Sequence, residues 1–143
     1  MPAEENKAVV HRVIEEVINK GNLEVADEVM ASNYVYHFPM GEVNGPGGFK
    51  ELIGMMRNAF PDLNITVDDL IAEGETVAAR FTMRGTFKGE MMGIAPTGKQ
   101  FTFPEAVFIR FENGKEAEAT PYANMASFFE QLGVNPADIP RAG

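Results

Sequence analysis

Two long segments with apolar residues at alternate positions, Glu75–Phe87 and Gln100–Glu112, limit most strongly the folds open to this chain. Alternation with a period of two is typical of β-strands that bury one face. The connection between the segments, Gly85–Lys99, is rich in glycine and contains Ala95-Pro96-Thr97-Gly98, a composition that favours a long turning loop. The sequence therefore predicts two long strands joined by a loop at the rim of a sheet.

Other segments predict helices and shorter strands around these two. Asn113-Gly114 is a strong hairpin signal that leads into a strand at Lys115–Thr120. Alternating residues from Leu63 to Val67 predict a half-buried strand, and an aromatic-rich strand is expected over Asn33–Pro39. Apolar residues at helical spacing predict helices at 4–20, 23–31, 49–60 and 125–132.

Composition and charge exclude several classes of function. The chain carries 21 acidic and 12 basic residues, a net charge of −9, so a nucleic acid would be repelled. It has no cysteine, which excludes disulfides and thiol chemistry and suits a reducing compartment. No segment is apolar enough for a leader or a membrane span, so we expect a soluble cytoplasmic protein with no membrane partner. A length of 143 residues predicts one domain, 1–143.

Three motifs link the chain to a known family. These are Gly-Thr-x-x-Gly-Glu-x-Met-Gly-Ile-x-Pro-Thr-Gly-Lys over Gly85–Lys99, Phe-Glu-Asn-Gly-Lys over Phe111–Lys115, and Phe-Phe-Glu-Gln-Leu-Gly over Phe128–Gly133. With them the chain resembles the SnoaL-like polyketide cyclases of the nuclear-transport-factor-2-like superfamily, from about Asn6 to Val134. The resemblance implies an α+β fold, a cone-shaped curved antiparallel sheet wrapped around about three helices with a central cavity.

The resemblance also implies that the usual cyclase chemistry is altered. Family members usually carry a histidine at the place of Phe87, another at the place of Ala119, an acidic general acid/base at the place of Pro121, and in some members a polar residue at the place of Val107. All four positions are nonpolar here. Alternation directs them toward the cavity, so two interpretations stay open: a member with different chemistry, or a scaffold refitted with an apolar pocket.

Glu105 is the foremost candidate for catalysis. It shares strand parity with Phe101, Phe103, Val107 and Ile109, which alternation turns inward. A carboxylate among phenyl rings is poorly solvated, so we expect its pKa to rise and the group to act as a general base. The alternative is a bulge at Pro104 that shifts the register and leaves Glu105 in water.

Three more residues are candidates beside Glu105. His37 occupies a strand position where the resemblance implies a histidine near the cavity mouth, although a hydrogen-bonded core histidine is an equal interpretation. Tyr36 could donate to a developing oxyanion. Asn124 lies where many relatives carry aspartate, but a helix N-cap is the favoured interpretation. Glu116, Glu118 and Thr120 share the opposite strand parity, which predicts that they face away from the cavity.

The expected substrate-binding residues are apolar or aromatic. The predicted ligand is a small hydrophobic or aromatic molecule, and neither a cofactor nor a metal is expected, because two separated histidines and no cysteine make a poor metal site. The methionine pairs are interpreted as fillers of core or pocket space. The predicted binding set is Phe60, Phe87, Met91, Phe101, Phe103, Val107, Ala117, Ala119 and Tyr122.

These observations favour a cofactor-independent enzyme of the lyase or isomerase type. It would abstract a proton from an activated carbon, in a cyclase-like or isomerase-like reaction of a flat substrate. The alternatives are an engineered or repurposed scaffold that catalyses a base-promoted elimination of the Kemp type, or a noncatalytic module that binds apolar ligands.

The outward face of the strand with Ala106 and Phe108 is partly apolar, and relatives pair through this face, so a homodimer is expected.

Overall fold

The computed structural model describes residues 2–138 and has the expected α+β architecture. A single six-stranded curved sheet has the strand order β2-β1-β6-β5-β4-β3. Neighbouring strands are antiparallel except β1 and β6, which are parallel. The strands are β1 (Met30–Tyr36), β2 (Val43–Asn44), β3 (Asn64–Glu73), β4 (Thr76–Thr86), β5 (Gln100–Glu112) and β6 (Lys115–Tyr122).

Four α-helices and several shorter turns accompany the sheet. The first helix, α1 (Pro2–Arg12), continues into a π-helical segment, Val13–Asn19. The chain then reverses at Gly21, whose φ is +72°. Near the C-terminus, α4 ends at Gly133, which adopts the left-handed conformation that favours glycine. The helices are α1 (Pro2–Arg12), α2 (Ala26–Val29), α3 (Gly45–Ala59) and α4 (Met125–Leu132), with 3-10 turns at Leu23–Val25 and Pro136–Asp138.

The predicted boundary between the second helix and the first strand was wrong. The sequence predicted a helix over Leu23–Ala31, but the helix ends at Val29 and β1 begins at Met30. Met30 has extended backbone angles and pairs with Glu116 of β6. The apolar residues at the end of α2 therefore continue directly into the sheet, and tertiary pairing overrides the local helical pattern.

The β4–β5 ladder is long and unbroken. Eleven residue pairs run from Thr76 opposite Arg110 to Thr86 opposite Gln100, with no bulge at Pro104. The predicted inward face is confirmed, since Phe101, Phe103, Val107 and Ile109 are all buried. Glu105 therefore keeps the inward parity, and the alternative register is excluded.

Strand β6 contains a bulge that the sequence analysis did not predict. Phe111 of β5 pairs with Glu116, but the preceding Arg110 pairs with Glu118, so Ala117 is an additional residue on β6. Both Glu116 and Ala117 are consequently buried, at 3% and 1% exposure. The expectation that Glu116 faces away from the cavity is wrong, because simple alternation does not hold across a bulge.

The core lies between the concave face of the sheet and the helices. Helix α1 and its π-helical extension bury Val10, Val13 and Val17, and α4 buries Phe128 and Leu132. Rings from the end of α3, from β5 and from α4 pack edge to face, with Phe60 and Phe101 centroids 4.9 Å apart. No helix among residues 2–138 is long and apolar enough to cross a membrane.

The loop between β4 and β5 is anchored on the end of α3. The amide nitrogens of Lys88 and Gly89 both donate to the carbonyl oxygen of Ala59, at 2.9 and 3.0 Å. A β-carbon at Gly89 would lie 2.2 Å from the carbonyl oxygen of Asn58. Only glycine therefore allows this approach, which holds the loop beside the core.

Replacement of Gly89 by alanine should destabilise the fold. The methyl group would collide with backbone rather than with a flexible side chain, so we expect a loss of about 1–3 kcal/mol in the free energy of unfolding. Urea denaturation measures this quantity. Gly54→Ala is the matched control, because Gly54 lies inside α3 with open space around it. Alanine there should stabilise the helix slightly, and equal stability of the two variants would contradict the anchoring role of Gly89.

Candidate active site

An apolar cavity of about 110 Å³ lies between the sheet and the helices. This is close to the size of engineered apolar cavities of about 150 Å³ that bind benzene. Helices α1, α3 and α4 contribute only nonpolar side chains to the lining. The titratable residues of the lining all come from strands, and they are Tyr34, Tyr36, Glu105 and Glu116.

Tyr36 and Glu105 form an outer pair in this cavity. Both side chains are half-buried, so they lie where the cavity approaches solvent. The predicted inward orientation of Glu105 is confirmed, and burial raises its pKa to about 7. Burial, and next the charge of Glu105, raise the pKa of the Tyr36 hydroxyl, which therefore stays neutral and able to donate. The outer pair brings to one cavity a carboxyl group that can exchange protons near neutral pH and a hydrogen-bond donor whose pKa responds to the charge of that carboxyl group.

Tyr34 and Glu116 form a deep pair. They are 1% and 3% exposed, and Tyr34 packs edge to face on Phe49. Burial raises the pKa of Glu116 to about 8. Burial also raises the pKa of Tyr34, with the charge of Glu116 as the next cause. The cavity thus contains two carboxyl–tyrosine pairs at different depths.

Methionines dominate the rim of the cavity. Of the nine methionines in the chain, seven line the cavity. Met91 and Met92 are set by a tight turn in which Met91 bridges to Ile94 and Met92 has a φ of +50°. Five of the seven keep some solvent exposure and define the methionine rim, which consists of Met40, Met55, Met56, Met92 and Met125.

His37 lies outside the cavity lining. Its Nε2 is 2.6 Å from an oxygen of Glu118, and its Nδ1 is 2.7 Å from an oxygen of Glu42. The hydrogen bond to Glu118 is the largest cause that raises the His37 pKa. Arg110 also donates to Glu118, at 3.1 Å. The structure therefore gives His37 an ion-paired place on the outer side of the sheet and does not bring it to Glu105.

The other predicted site residues divide into two groups. Six of the predicted binding and catalytic residues besides Glu105 line the cavity, and six do not. Asn124 caps α4 by accepting a hydrogen bond from the Ser127 amide at 3.1 Å, which is the favoured interpretation of this residue. Those that line the cavity are Tyr36, Phe60, Met91, Phe103, Val107 and Ala119, and those that do not are His37, Phe87, Phe101, Ala117, Tyr122 and Asn124.

Of the four positions altered relative to the family pattern, two line the cavity and two do not. Val107 and Ala119 line the cavity, as alternation predicted. Phe87 is fully buried and packs on Phe60 with centroids 5.8 Å apart, outside the lining. Pro121 is buried opposite Val107 but is not part of the lining either. The side chains at the altered positions therefore provide apolar surface and no catalytic group.

Sequence reasoning missed the deep pair. Strand parity alone directs Glu116 outward, and nothing in the sequence distinguishes Tyr34 from the other two aromatic residues of its short strand. The available signal was the hairpin turn at Asn113-Gly114, since bulges are frequent near the ends of strand pairs. Among the described residues, no group of three or more His, Asp or Glu side chains could hold a metal ion.

Comparison with known proteins establishes the family. The sequence model of the SnoaL-like polyketide cyclases matches residues 8–132, and the chain belongs to this family. A curated relative, the nogalonic acid methyl ester cyclase of Streptomyces nogalater, is 25% identical over 118 residues, which cover 80% of this chain and 88% of that protein.

Solved structures agree with this assignment. AclR from Streptomyces galilaeus, a candidate hydroxylase, is 30% identical with a TM-score of 0.80, and the match covers 96% of this chain and 86% of that one. A SnoaL-like protein from Jannaschia sp. CCS1 has a TM-score of 0.84 at 20% identity, over 94% of this chain and 95% of that one, and shows the shared fold.

Glu116 should make stability depend on pH. A carboxyl group whose pKa is raised by folding binds its proton more tightly in the folded state, so its ionisation destabilises the fold. The penalty should grow as pH rises from about 4.5, the ordinary value, to about 8, and stay constant above that. Glu116→Gln removes the charge. Its free energy of unfolding at pH 9 should therefore exceed that of the parent by several kcal/mol, because each unit of pKa shift corresponds to about 1.4 kcal/mol.

Urea denaturation at a series of pH values measures this difference. Glu118→Gln is the matched control on the same strand, because hydrogen bonds from His37 and Arg110 lower the Glu118 pKa. This control should lose stability, relative to the parent, at neutral pH. A difference between Glu116→Gln and the parent that does not change with pH would contradict the burial of an ionisable Glu116.

Proposed function

We propose that the protein is a cofactor-independent enzyme of the cyclase type, with Glu105 as the general base. It would remove a proton from an activated carbon of a flat hydrophobic substrate. The observation that carries this proposal is the outer pair, a carboxyl group with a pKa near 7 in an apolar cavity that the neutral hydroxyl of Tyr36 also lines. A base with this pKa combines a useful ionised fraction at neutral pH with strong proton affinity.

The chemistry follows from the two groups of the outer pair. The Glu105 carboxylate takes a proton from the carbon next to a substrate carbonyl, and the electron pair moves to the carbonyl oxygen. The Tyr36 hydroxyl donates a hydrogen bond to the resulting oxyanion. The enolate carbon attacks a second carbonyl of the same molecule, a carbon–carbon bond closes the ring, and the Glu105 carboxylic acid returns its proton to the new alkoxide.

The relatives support a polyketide-like substrate. The curated relative from Streptomyces nogalater is named as a cyclase of nogalonic acid methyl ester. The apolar lining and the methionine rim suit the rings of such a molecule, because apolar pockets bind flat hydrophobic ligands through buried surface. The absence of a polar group at Val107 and Ala119 is consistent with a substrate or a reaction that differs from that relative's.

Base-promoted elimination on an aromatic compound is a second candidate reaction. It is favoured by the isolation of Glu105, because such an elimination needs one desolvated base and an apolar surface for the ring. In this reaction Glu105 takes a ring proton from carbon, a nitrogen–oxygen bond breaks, and the leaving oxygen departs as a phenolate. Binding without chemistry is the outcome expected if Glu105 has no role.

Glu105→Gln should abolish turnover while the fold is retained. The test uses nogalonic acid methyl ester for ring closure and 5-nitrobenzisoxazole for elimination, both followed by absorbance. For the parent, the rate should rise with pH through about 7, because the ionised carboxylate is the base. The variant keeps the shape and loses the base, so the rate should fall by ~10²–10⁴.

Two results would contradict the proposal. One is full activity of Glu105→Gln on a substrate that the parent converts. The other is saturable binding of both compounds with no turnover by the parent between pH 6 and pH 9, which would favour the binding module. His37→Ala is the control, since His37 lies outside the cavity lining and its replacement should leave the pH profile unchanged.

We further propose that two copies associate through the outer face of the sheet. Phe108 and Tyr122 are 52% and 62% exposed on neighbouring strands, and their rings pack edge to face at 6.0 Å. Ile71 of β3, which is 70% exposed, lies in line with Phe108 across the sheet. It pairs with Ala78 of β4, and Ala78 in turn pairs with Phe108. Exposed apolar side chains on three strands of one sheet face favour association with a second copy of the same face.

Light scattering tests this association directly. The parent should have twice the 15.7 kDa mass of one chain, and Phe108→Glu should have the mass of one chain, because a buried unpaired carboxylate opposes pairing. Met55→Glu is the matched control, an equal change at an exposed apolar residue of the methionine rim, and should leave the mass at that of a pair. A parent of single-chain mass at high micromolar concentration would contradict the proposal.

A further inference from the structure

The deep pair has no part in the proton transfer assigned to the outer pair. Glu116 is 3% exposed, and no described residue donates a hydrogen bond to its carboxyl group. Every fully enclosed side-chain nitrogen or oxygen among the described residues has a hydrogen-bond partner. The Glu116 oxygens are therefore not sealed in protein, and they face the open space of the cavity that the residue lines.

An unpartnered buried carboxyl group is costly unless a ligand satisfies it. Ionised, it would lose most of its hydration with no compensating charge nearby, so the neutral acid is the stable form at neutral pH. A neutral carboxylic acid has one O–H donor, and Tyr34 adds a second hydroxyl at the same depth. The end of the cavity thus presents two donors within apolar walls.

We propose that Glu116 and Tyr34 form a binding subsite for an uncharged oxygen atom that accepts hydrogen bonds. A carbonyl oxygen on a flat apolar ligand fits this subsite best. This inference rests on the proposed function in one respect, that the cavity binds flat ligands. Glu116 would donate to the oxygen, and the ligand's ring system would extend toward the outer pair. The subsite would exclude ligands that bring a carboxylate to this depth.

The strand register separates the two pairs along the cavity. Glu116 pairs with Phe111, and Glu105 lies six residues before Phe111 on β5, a strand distance of up to about 20 Å before curvature. Tyr34 and Tyr36 lie between them on β1, where burial decreases from the deep pair to the outer pair. A ligand oxygen held by Glu116 would therefore orient the molecule so that a different part of it meets Glu105.

Equilibrium binding of two matched probes tests the subsite without any turnover. The probes are 1-indanone, which has a carbonyl oxygen, and indane, which has the same rings without it. At pH 6 the parent should bind 1-indanone roughly 3- to 10-fold more tightly than indane, as expected for one added hydrogen bond. Glu116→Leu removes one of the two donors and should reduce the preference, because only the Tyr34 hydroxyl is left to donate, while its affinity for indane is kept or improved.

A pH series separates a hydrogen-bonding role from a steric one. The titratable groups that face Glu116 across the cavity are Tyr34, Tyr36 and Glu105, and the tyrosines stay neutral because burial raises their pKa values. For the parent, the preference should fall between pH 6 and pH 9.5 to that of Glu116→Leu, because ionised Glu116 cannot donate and only Tyr34 still does. Glu116→Gln keeps an N–H donor at every pH, so its preference should persist at pH 9.5.

Three outcomes would overturn the subsite. The first is equal affinity of the parent for both probes, or binding of neither. The second is a preference that Glu116→Leu retains undiminished. The third is loss of the preference in Glu105→Leu but not in Glu116→Leu, which would place the ligand oxygen at the outer pair. Binding of neither probe would also contradict the premise, shared with the proposed function, that the cavity binds flat ligands. The other outcomes do not bear on turnover by Glu105, so they are distinct from failure of the proposed enzymatic reaction.

Discussion

The unbroken pairing of β4 with β5 is the constraint on which the rest of the structure depends. Eleven consecutive residue pairs with no bulge fix which side of both strands faces the helices. A shift by one residue would exchange the buried and exposed faces, so this ladder alone decides that Glu105 enters the cavity. The long loop that follows β4 is held separately from this ladder, since Gly89 anchors it to the end of α3.

Much of the fold and half of the site followed from sequence because they depend on periodicity. The inward parity of Phe103, Glu105 and Val107 is a direct reading of alternate residues, and the motifs in Gly85–Lys99 specify the family. The start of β1 at Met30 and the orientation of Glu116 could not be predicted from the sequence. Both depend on pairing between distant strands, the first through parallel contact with β6 and the second through a bulge opposite Phe111.

Position on a strand, more than residue type, decides the electrostatic character of each glutamate. Glu116 and Glu118 are two residues apart on β6, yet burial raises the pKa of the first while hydrogen bonds from His37 and Arg110 lower that of the second. The sheet therefore separates two environments, an apolar interior that favours neutral acids and an outer face of compensated charges. His37 belongs to the outer environment, which explains why sequence proximity to Tyr36 did not make it part of the site.

The methionine rim has a consequence for how the cavity admits its ligand. Methionine side chains are unbranched and polarisable, with three rotatable bonds each, so they can conform to different ring shapes while the sheet stays fixed. The same side chains are chemically vulnerable, because oxidation turns each thioether into a polar sulfoxide. Oxidation of these residues would therefore place polar groups at the edge of an otherwise apolar cavity, in a chain that contains no cysteine.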